Sequence, residues 1–313
     1  MKVIPILFLG ASKRVSLLER FEDAASRLGL ELKLYSCELD NQFHPISRLA
    51  TVLGGPPFLS EGFSAWLRSI TGKYQIELVI PNMDSATVAL SRFARNSVTN
   101  CWAVVSSETL CERMYDKILA DQFFRENDIP VPPNTPRKFP KILKPRLGFG
   151  SKNIRIAQNS EQLESEVVAG NSADIVQDFL PDVQETTVDI YISPQHGLRG
   201  YVLRDRIEVS DGEVMVCRTR LPRIEERELI HQIAAIPGWQ GCVTLQYVTD
   251  ARGNLYVIEI NPRFGGGATC AIEAGLDMCS YILIEHLGGT LPEPLTPRNL
   301  IMSRARRDFF HEY

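Results

Sequence analysis

The first third of the chain alternates short apolar runs with stretches that carry apolar residues at helical spacing. In chain order, the sequence predicts strand 3–9, helix 16–28, strand 32–37, helix 63–71, strand 78–81, helix 84–94 and strand 102–105. Short strands separated by helices indicate a parallel sheet whose crossover connections are right-handed. The N-terminal third is therefore predicted to be an α/β domain.

The pattern changes beyond a predicted helix at 108–127. Residues 129–136 are rich in proline and cannot be helical, so we expect a domain boundary near them. Strands then occur in groups: 141–144 with 153–157, a short strand 175–179, a meander of 187–192, 200–209 and 214–220, and a hairpin of 243–248 with 255–260. Helix 225–235 precedes the hairpin, so an α+β arrangement is predicted for this part.

Composition excludes several classes of protein. The 313 residues include 34 Lys and Arg against 38 Asp and Glu, a net charge of −4, which argues against a nucleic-acid partner. The apolar stretch 3–11 is too short to cross a membrane, so no membrane partner is expected. Seven cysteines without a CxxC pair suggest neither a disulfide framework nor a zinc site. We therefore expect a cytoplasmic protein with reduced thiols.

The strand that ends in Glu259-Ile-Asn261 carries two oxygen ligands on one face. Alternation places Glu259 and Asn261 together, about 7 Å apart, and the two neighbouring isoleucines on an apolar face. If Val248 pairs with Leu255, Gln246 of the partner strand lies on the same face as Glu259, whereas a slip of one residue turns it away. Such oxygen ligands suit Mg²⁺ that bridges phosphates, and Arg263 follows as a phosphate partner. The alternative is a solvent-facing polar strand edge.

A second segment has the features of a phosphate-binding loop. Lys144 ends a strand, and Gly148, Gly150 and Ser151 follow before the next strand begins. Glycines allow backbone N–H groups to approach phosphate oxygens, and a lysine adds positive charge. The alternative is a plain hairpin turn. Lys117, inside the predicted helix 108–127, has the alternative of a solvated surface lysine.

In their order along the chain, these pieces resemble the ATP-grasp superfamily, and they are most similar to stand-alone proteins related to the large subunit of carbamoyl-phosphate synthase. The matching segments are Asp116-Lys117, Lys144-Pro145, Gly148 to Ser151, Val176 to Leu180, Glu185 to Asp189, Gln246 and Glu259 to Arg263. The resemblance implies a Rossmann-like pre-ATP-grasp domain at 1–110 and a two-lobed ATP-grasp domain at 111–313. A smaller lobe, about 130–180, would cover ATP, and a lobe at about 181–313 would bind metal.

The resemblance also implies which residues bind ATP. They are Lys117, Lys144, Gly148, Gly150, Ser151, Gln177, Asp178, Leu180 and Glu185. The two lysines would contact the phosphates, and the glycine-serine loop would close over them. Residues 177–180 would read adenine, mainly through backbone groups of Asp178 and Leu180, and Glu185 would hold the ribose hydroxyls.

Two Mg²⁺ ions, or Mn²⁺ in their place, are implied as cofactors. Gln246 and Glu259 would bind one ion, Glu259 and Asn261 the second, and Arg263 would steady the transferred phosphoryl group. The implied reaction joins a small carboxylate, such as an amino acid, to an amine through an acylphosphate, so the expected partners are small-molecule substrates. A homodimer is a further expectation.

Three basic segments allow more than one interpretation. Arg206, in the predicted meander, is chosen to grip a carboxylate or phosphate, with an exposed sheet face as the alternative. Gly10 to Arg14 precedes a helix and could hold an anion at its N-terminus. The run Arg304, Arg306 and Arg307 is interpreted as a solvated face.

Two other functions stay open. A dinucleotide-dependent oxidoreductase would use the N-terminal sheet, with the loop at Gly10 and the acidic Glu38 as its support. A nucleotide-binding regulatory module would have kept the fold and lost turnover, although the complete set of predicted ligands argues against it.

Overall fold

The structure is a computed structural model that describes residues 1–40, 43–96, 101–148, 153–169, 174–210 and 212–310. In this part of the chain, no helix is both long and apolar enough to cross a membrane.

The N-terminal region is built on a parallel sheet. Its strands and helices are β1 (Lys2–Leu9), α1 (Val15–Arg27), β2 (Leu30–Glu38), β3 (Thr51–Gly54), α2 (Phe63–Lys73), β4 (Leu78–Pro81), α3 (Asp84–Asn96) and β5 (Trp102–Ala103). The strand order is β3-β2-β1-β4-β5, and all neighbours are parallel. Along β1, Ile6 and Phe8 face one apolar cluster and Leu7 and Leu9 face another, so both faces of the sheet are covered. The α/β prediction is confirmed; β3 was not predicted.

The prediction of one helix over residues 108–127 is wrong. Helix α4 (Glu108–Tyr115) ends at Asp116, whose extended backbone (φ −109°, ψ 113°) separates it from helix α5 (Lys117–Glu126). The Asp116 carboxylate accepts hydrogen bonds from the backbone N–H groups of Ile118 and Leu119. Asp116 is therefore the N-cap of α5, and Lys117 is the first residue of that helix.

A small antiparallel sheet follows the proline-rich segment. It contains β6 (Lys141–Pro145), β7 (Arg155–Ala157) and β8 (Asp174–Asp178) in the order β7-β6-β8, and helix α6 (Ser160–Ala169) connects β7 to β8. The three strands were predicted and α6 was not.

The rest of the chain forms a larger antiparallel sheet and helices that pack on it. Its elements are β9 (Gln184–Ser193), β10 (Gly197–Ser210), β11 (Glu213–Arg220), α7 (Ile224–Ala234), β12 (Gly241–Thr249), β13 (Leu255–Asn261), α8 (Ala268–Glu273), α9 (Met278–His286) and β14 (Ile301–Ser303). The strand order is β13-β12-β9-β10-β11-β14. One face packs apolar side chains such as Val188, Leu203 and Leu245 against α7 and α5. The other face is polar and is described below.

Helices α8 and α9, which the sequence did not predict, pack on α1 of the N-terminal region. Phe21 of α1 meets Phe264 edge to face, with ring centroids 5.9 Å apart. Residues of β1, α1, α8 and α9 share one apolar cluster, so the C-terminal helices tie the antiparallel sheet to the parallel one. The division at residue 110 and the lobe bounds stay predictions.

Candidate active site

A large cleft opens where the sheets meet. It lies between the small sheet, the polar face of the large sheet and the carboxyl ends of β1 and β4, and its volume is about 2120 Å³. Pockets that bind drug-sized ligands have volumes of roughly 300–1,000 Å³, so this cleft has room for two small molecules.

The hairpin of β12 and β13 brings Gln246 directly opposite Glu259. The register predicted from the turn was wrong by one residue, because Thr249, not Val248, pairs with Leu255. A bulge between the Tyr247–Val257 pair and the Gln246–Glu259 pair then adds one residue, Ile258, to β13. The side chains of Gln246 and Glu259 therefore lie together as predicted, but they do so through a different strand register that includes a bulge.

The bulge also corrects the predicted apolar face of β13. Val257 and Ile260 are buried in the core beneath the sheet, whereas Ile258 lines the cleft together with Glu259 and Asn261. The cleft therefore has an apolar side chain next to its predicted metal ligands.

A polar row crosses the sheet at the level of Glu259. Arg204 of β10 pairs with Thr187 of β9, Thr187 pairs with Gln246, and Gln246 pairs with Glu259. Thr187 was not predicted as a site residue, although Glu185, Thr187 and Asp189 alternate along β9 and so share one face. All three of these side chains lie on the face that carries Gln246.

Gln246, Glu259 and Asn261 can together offer a divalent ion one carboxylate and two amide oxygens. The Nδ2 group of Asn261 donates to Oε1 of Glu259 over 2.6 Å, so a half-turn of this amide would present its oxygen instead. Burial raises the pKa of Glu185 nearby, the Arg206 charge opposes this, and the Glu259 charge raises it further. Two carboxylates that repel each other in a cleft favour a cation between them, and this donor set fits Mg²⁺.

Lys144 enters the cleft from the small sheet. Its Nζ donates to Oε1 of Gln177 over 3.1 Å, and the Nε2 group of Gln177 donates to Asp121 of α5 over 3.2 Å. Burial lowers the pKa of Lys144, and Glu259 opposes this shift. Gln177, from the segment predicted to read adenine, therefore orients Lys144, the lysine predicted to bind phosphate.

Lys117 lies at the N-terminus of α5 and reaches the loop after β6. Its Nζ donates to the carbonyl oxygen of Gly148 over 2.8 Å, and its backbone N–H donates to Arg146. The Arg146 guanidinium in turn binds the Asp116 carboxylate. The other predicted loop residues, Gly150 and Ser151, lie outside the described residues.

Asp178 does not present its side chain to the cleft. Its carboxylate accepts from Thr135 and from Lys141, which is almost fully buried and 2.7 Å away. Burial alone would raise the pKa of Asp178, but these donors hold it well below its usual range. Its backbone N–H donates to the carbonyl oxygen of Pro133.

Arg206 and Glu185 form an ion pair on the polar face. Nη1 of Arg206 lies 2.8 Å from Oε1 of Glu185, and Nη2 donates to the carbonyl of Gly212. Arg204, one residue pair further along, is buried against Asp189. On the opposite face, Arg220 binds Asp205 and Glu226. Arg204 and Arg206 of β10, and not the arginines of β11, therefore face the cleft.

Arg263 is held by a residue that the sequence analysis did not single out as a site residue. Its Nε and Nη2 groups bind the two carboxylate oxygens of Asp84, at the start of α3, over 2.7 and 3.2 Å. Burial would lower the pKa of Arg263, but Asp84, together with the charges of Glu259 and Asp189, raises it. The N-terminal sheet thus reaches the end of the predicted metal strand.

The loop that follows β1 is held by a hydrogen bond to the side chain of Glu38, at the end of β2. Glu38 accepts from the backbone N–H of Ala11 over 2.8 Å and from the Ser36 hydroxyl over 2.6 Å. The carboxylate that a dinucleotide site would use for a ribose is therefore occupied by the loop itself. The predicted solvated face is confirmed for Arg306 and Arg307, which are exposed at the edge of the cleft, and corrected for Arg304, which is half-buried and donates to the carbonyl of Gly266.

The comparison with family models places this geometry in a known class. Residues 114–267, just under half of the chain, match the model of the ATP-grasp domain. This span contains Lys117, Lys144, residues 177–180 and the β12–β13 hairpin. This part of the chain is an ATP-grasp domain.

Individual relatives are distant in sequence. Pyruvate carboxylase from Aspergillus niger is 23% identical over 226 residues, which are 62% of this chain and 19% of that protein. The chain thus spans about a fifth of the length of that curated relative.

Solved structures share the fold over nearly the whole chain. N5-carboxyaminoimidazole synthetase from Staphylococcus aureus, complexed with ADP, superposes with a TM-score of 0.78 at 15% identity, covering 97% of this chain and 83% of that one. The biotin carboxylase domain of Hydrogenobacter thermophilus 2-oxoglutarate carboxylase, in complex with MgADP, ADP and bicarbonate, gives a TM-score of 0.72 at 17% identity, with 93% and 71% covered. At these identities the likeness concerns the fold.

Proposed function

We propose that this chain is an ATP- and Mg²⁺-dependent ligase that joins a small carboxylate to an amine through an acylphosphate, forming ADP. The observation that carries the proposal is that one cleft brings Gln246, Glu259 and Asn261 to face Lys144 and Lys117. Hard oxygen ligands opposite two lysines form an environment suited to a triphosphate with its metal ions.

The nucleotide would lie between the small sheet and the polar face of the large sheet. Lys144 and Lys117 would bind its phosphates, and the N-terminus of α5 adds partial positive charge beside Lys117. The backbone at Leu180 and the carbonyl of Asp178 would meet the base. Glu185 would hold the ribose hydroxyls. Its carboxylate would then accept hydrogen bonds from these hydroxyls and from Arg206 at the same time.

Gln246 and Glu259 would hold one Mg²⁺ ion, and Glu259 and Asn261 a second, with Mn²⁺ as a substitute. When bound, these ions offset negative charge on the phosphate oxygens as the phosphoryl group transfers. The protein itself would contribute by positioning the metal ligands and the phosphate-binding lysine. The sheet register places Gln246 opposite Glu259, and Gln177 directs Lys144 toward the same region.

The proposed reaction has two steps. A carboxylate oxygen of the substrate attacks the γ-phosphorus, the bond to the β-phosphate oxygen breaks, and ADP leaves. An amine nitrogen then attacks the acyl carbon, phosphate leaves, and the amine proton is lost to solvent or base. Arg263, fixed by Asp84, would steady the phosphoryl group, and Arg206 would grip the substrate or a phosphate.

The first test is nucleotide choice. We expect Mg-ATP to raise the melting temperature of the full chain and NAD or NADP to leave it unchanged, since a ligand stabilises the state that binds it. The reverse result would favour an oxidoreductase and contradict the proposal.

The second test is turnover. Pooled amino acids, dipeptides and bicarbonate, each with an amine mixture, are screened for ADP formation, and products are identified by mass. Glu259→Gln is expected to lower the rate at least about a hundredfold, which corresponds to roughly 3 kcal/mol of lost stabilisation. Glu228→Gln, at an exposed position on α7, is the charge-matched control.

Two outcomes of this screen count against a ligase. Mg-ATP binding with no ADP formed from any pool would favour a regulatory module. Equal rates for wild type and Glu259→Gln would contradict the metal assignment. A homodimer and a cytoplasmic location remain predictions.

A further inference from the structure

The cleft has a second region beyond the predicted metal ligands, which we term the arginine pocket. It is lined by Arg14, Asn82, Asp84, Gly265, Gly266 and Arg304. Arg14 follows β1 and Asn82 follows β4, and these two strands are neighbours in the order β3-β2-β1-β4-β5. The strand order reverses between β1 and β4, and open α/β sheets bind ligands at the carboxyl ends beside such a reversal.

Two guanidinium groups are held side by side in the arginine pocket by one glycine turn. Nη1 of Arg14 donates to the carbonyl of Gly265 over 3.0 Å, and Nη2 of Arg304 donates to the carbonyl of Gly266. Arg14 comes from the N-terminal region, whereas Arg304 follows the edge strand β14. The fold therefore brings two cations from opposite ends of the chain to adjacent carbonyls.

The positive charge of the arginine pocket exceeds its negative charge. Burial lowers the pKa of Arg14 to about 10, and repulsion from Arg263 and Arg304 adds to the shift. Asp84 is taken by Arg263, and the mostly exposed Glu213 lies 3.6 Å from Arg304. Among the described residues, no carboxylate lies within ion-pair distance of Arg14. Each arginine retains N–H donors beyond those used on the glycine turn.

Neutral groups in the arginine pocket also lack partners. Asn82 is only 3% exposed, and within the described part of the chain its Oδ1 atom has no hydrogen-bond donor. Helix α1 begins beside it without a side-chain cap and without an acidic residue in its first turn. A helix N-terminus of this kind favours an anion, and the Asn82 oxygen needs a donor such as a hydroxyl or amine.

We propose that the arginine pocket binds a second anionic group of the substrate, a phosphate or carboxylate distinct from the carboxylate that is activated. Arg14 and Arg304 are its specificity residues, and Asn82 accepts from a hydroxyl or amine next to that group. The substrate class is therefore a small molecule with at least two negative charges. This inference rests on the proposed ligase function for the identity of the ligand as substrate, but the binding of an anion does not.

The site is tested first without turnover, by calorimetric titration of inorganic phosphate into the full chain. We expect Arg14→Gln and Arg304→Gln each to weaken binding at least tenfold, and Arg304→Lys to recover part of the loss. Arg252→Gln, at the exposed hairpin turn, is the charge-matched control and should bind as wild type. The melting temperature of each variant verifies that it is folded.

A second variant separates this pocket from the nucleotide side of the cleft. Lys144→Met should remove any phosphate that binds on the nucleotide side of the cleft and keep the binding component that Arg14→Gln and Arg304→Gln weaken. Loss of binding in Lys144→Met together with normal binding in Arg14→Gln and Arg304→Gln would overturn the proposal. Phosphate binding that no variant alters would overturn it as well.

The third measurement identifies the anion among substrates. Phosphorylated amino acids and dicarboxylic amino acids are compared in the ADP assay, and Arg304→Gln should raise KM for the active class about tenfold with little change in kcat. Stimulation by uncharged monocarboxylates alone would contradict the proposal. If phosphate binding depends on Arg14 and Arg304 but no compound yields ADP, the ligase function fails and the anion site stands.

Discussion

The guanidinium of Arg263 is held against the carboxylate of Asp84, with Nε 2.7 Å from Oδ1 and Nη2 3.2 Å from Oδ2. The two residues are 179 positions apart in the chain. Asp84 is the first residue of α3, which packs on the parallel sheet. Arg263 lies two residues beyond the end of β13. The pair joins the two halves of the cleft, and it fixes a cation just beyond the strand that carries Glu259 and Asn261.

Removing Asp84 should both destabilise the chain and misplace Arg263. We expect Asp84→Ala to lower the free energy of unfolding by about 2–4 kcal/mol, because a largely buried arginine loses its counter-charge. Urea unfolding measures the loss. Arg263→Met in the Asp84→Ala background should recover at least about 1 kcal/mol of it, and strict additivity of the two changes would show that the pair is not coupled.

Asp116 should matter for both helix stability and nucleotide binding. Asp116→Ala removes the cap of α5 and the partner of Arg146, so we expect a loss of about 1 kcal/mol and weaker Mg-ATP binding through Lys117. Asp116→Asn keeps a capping oxygen and loses the charge. It should therefore retain most of the stability. Equal losses in both variants would show that the ion pair with Arg146, and not the cap, holds this junction.

The buried pair of Arg204 and Asp189 should cost much to break. Nε of Arg204 lies 2.6 Å from Oδ2 of Asp189, and each residue is only 1% exposed. Asp189→Ala should lower the free energy of unfolding by roughly 3–5 kcal/mol, because it leaves a buried charge unpaired. The control is Arg20→Gln, which breaks the exposed pair with Glu273 and should cost less than about 1 kcal/mol. Similar losses of unfolding free energy in Asp189→Ala and Arg20→Gln would show that the Arg204–Asp189 pair contributes no more than an exposed ion pair.

Glu226 should give the chain an acid-sensitive part of its stability. Burial alone would raise its pKa, but hydrogen bonds from Arg220, Tyr247 and the Arg223 backbone hold the pKa at about 2, against an ordinary value of 4.5. The folded state therefore binds the proton more weakly than the unfolded state does. The contribution is complete above pH 4.5 and declines as the pH falls toward 2.

Melting temperatures between pH 5 and 3 test this dependence. The advantage of wild type over Glu226→Gln should shrink steadily with falling pH, while the difference between wild type and Glu225→Gln, on the same helix, should change little. An advantage that is constant over this range would contradict the depressed pKa.

The sequence predicted much of the local structure because local patterns encode it. Strand β4 has the predicted bounds, since four apolar residues stand between polar segments. The break at Asp116 was missed because apolar spacing continues from α4 into α5, and only the cap geometry separates the two helices. Aspartate is a good N-cap residue, but in a sequence whose apolar spacing continues across it, Asp116 looks the same as an aspartate on the surface of one long helix.

The candidate site was predictable where ligands share a strand and not where they come from distant segments. Glu259 and Asn261 follow from alternation alone. The pairing of Arg263 with Asp84 and the approach of Arg14 to Gly265 depend on how α1, α3 and the large sheet pack. No periodicity or propensity in the sequence records such contacts. The same holds for Arg304, whose interpretation as a solvated residue changed once β14 was placed at the sheet edge.

Ile258 puts the two ends of the β12–β13 hairpin out of phase by one residue. Counting forward from the Asp250–Gly253 turn gives one set of partners, and counting back from Asn261 gives another. Relatives that lack this extra residue would align with the chain at the turn and be misaligned at Glu259. A design that transfers these ligands to another protein should therefore align the two hairpins at the Gln246–Glu259 pair, not at the turn, and should include the bulged residue Ile258.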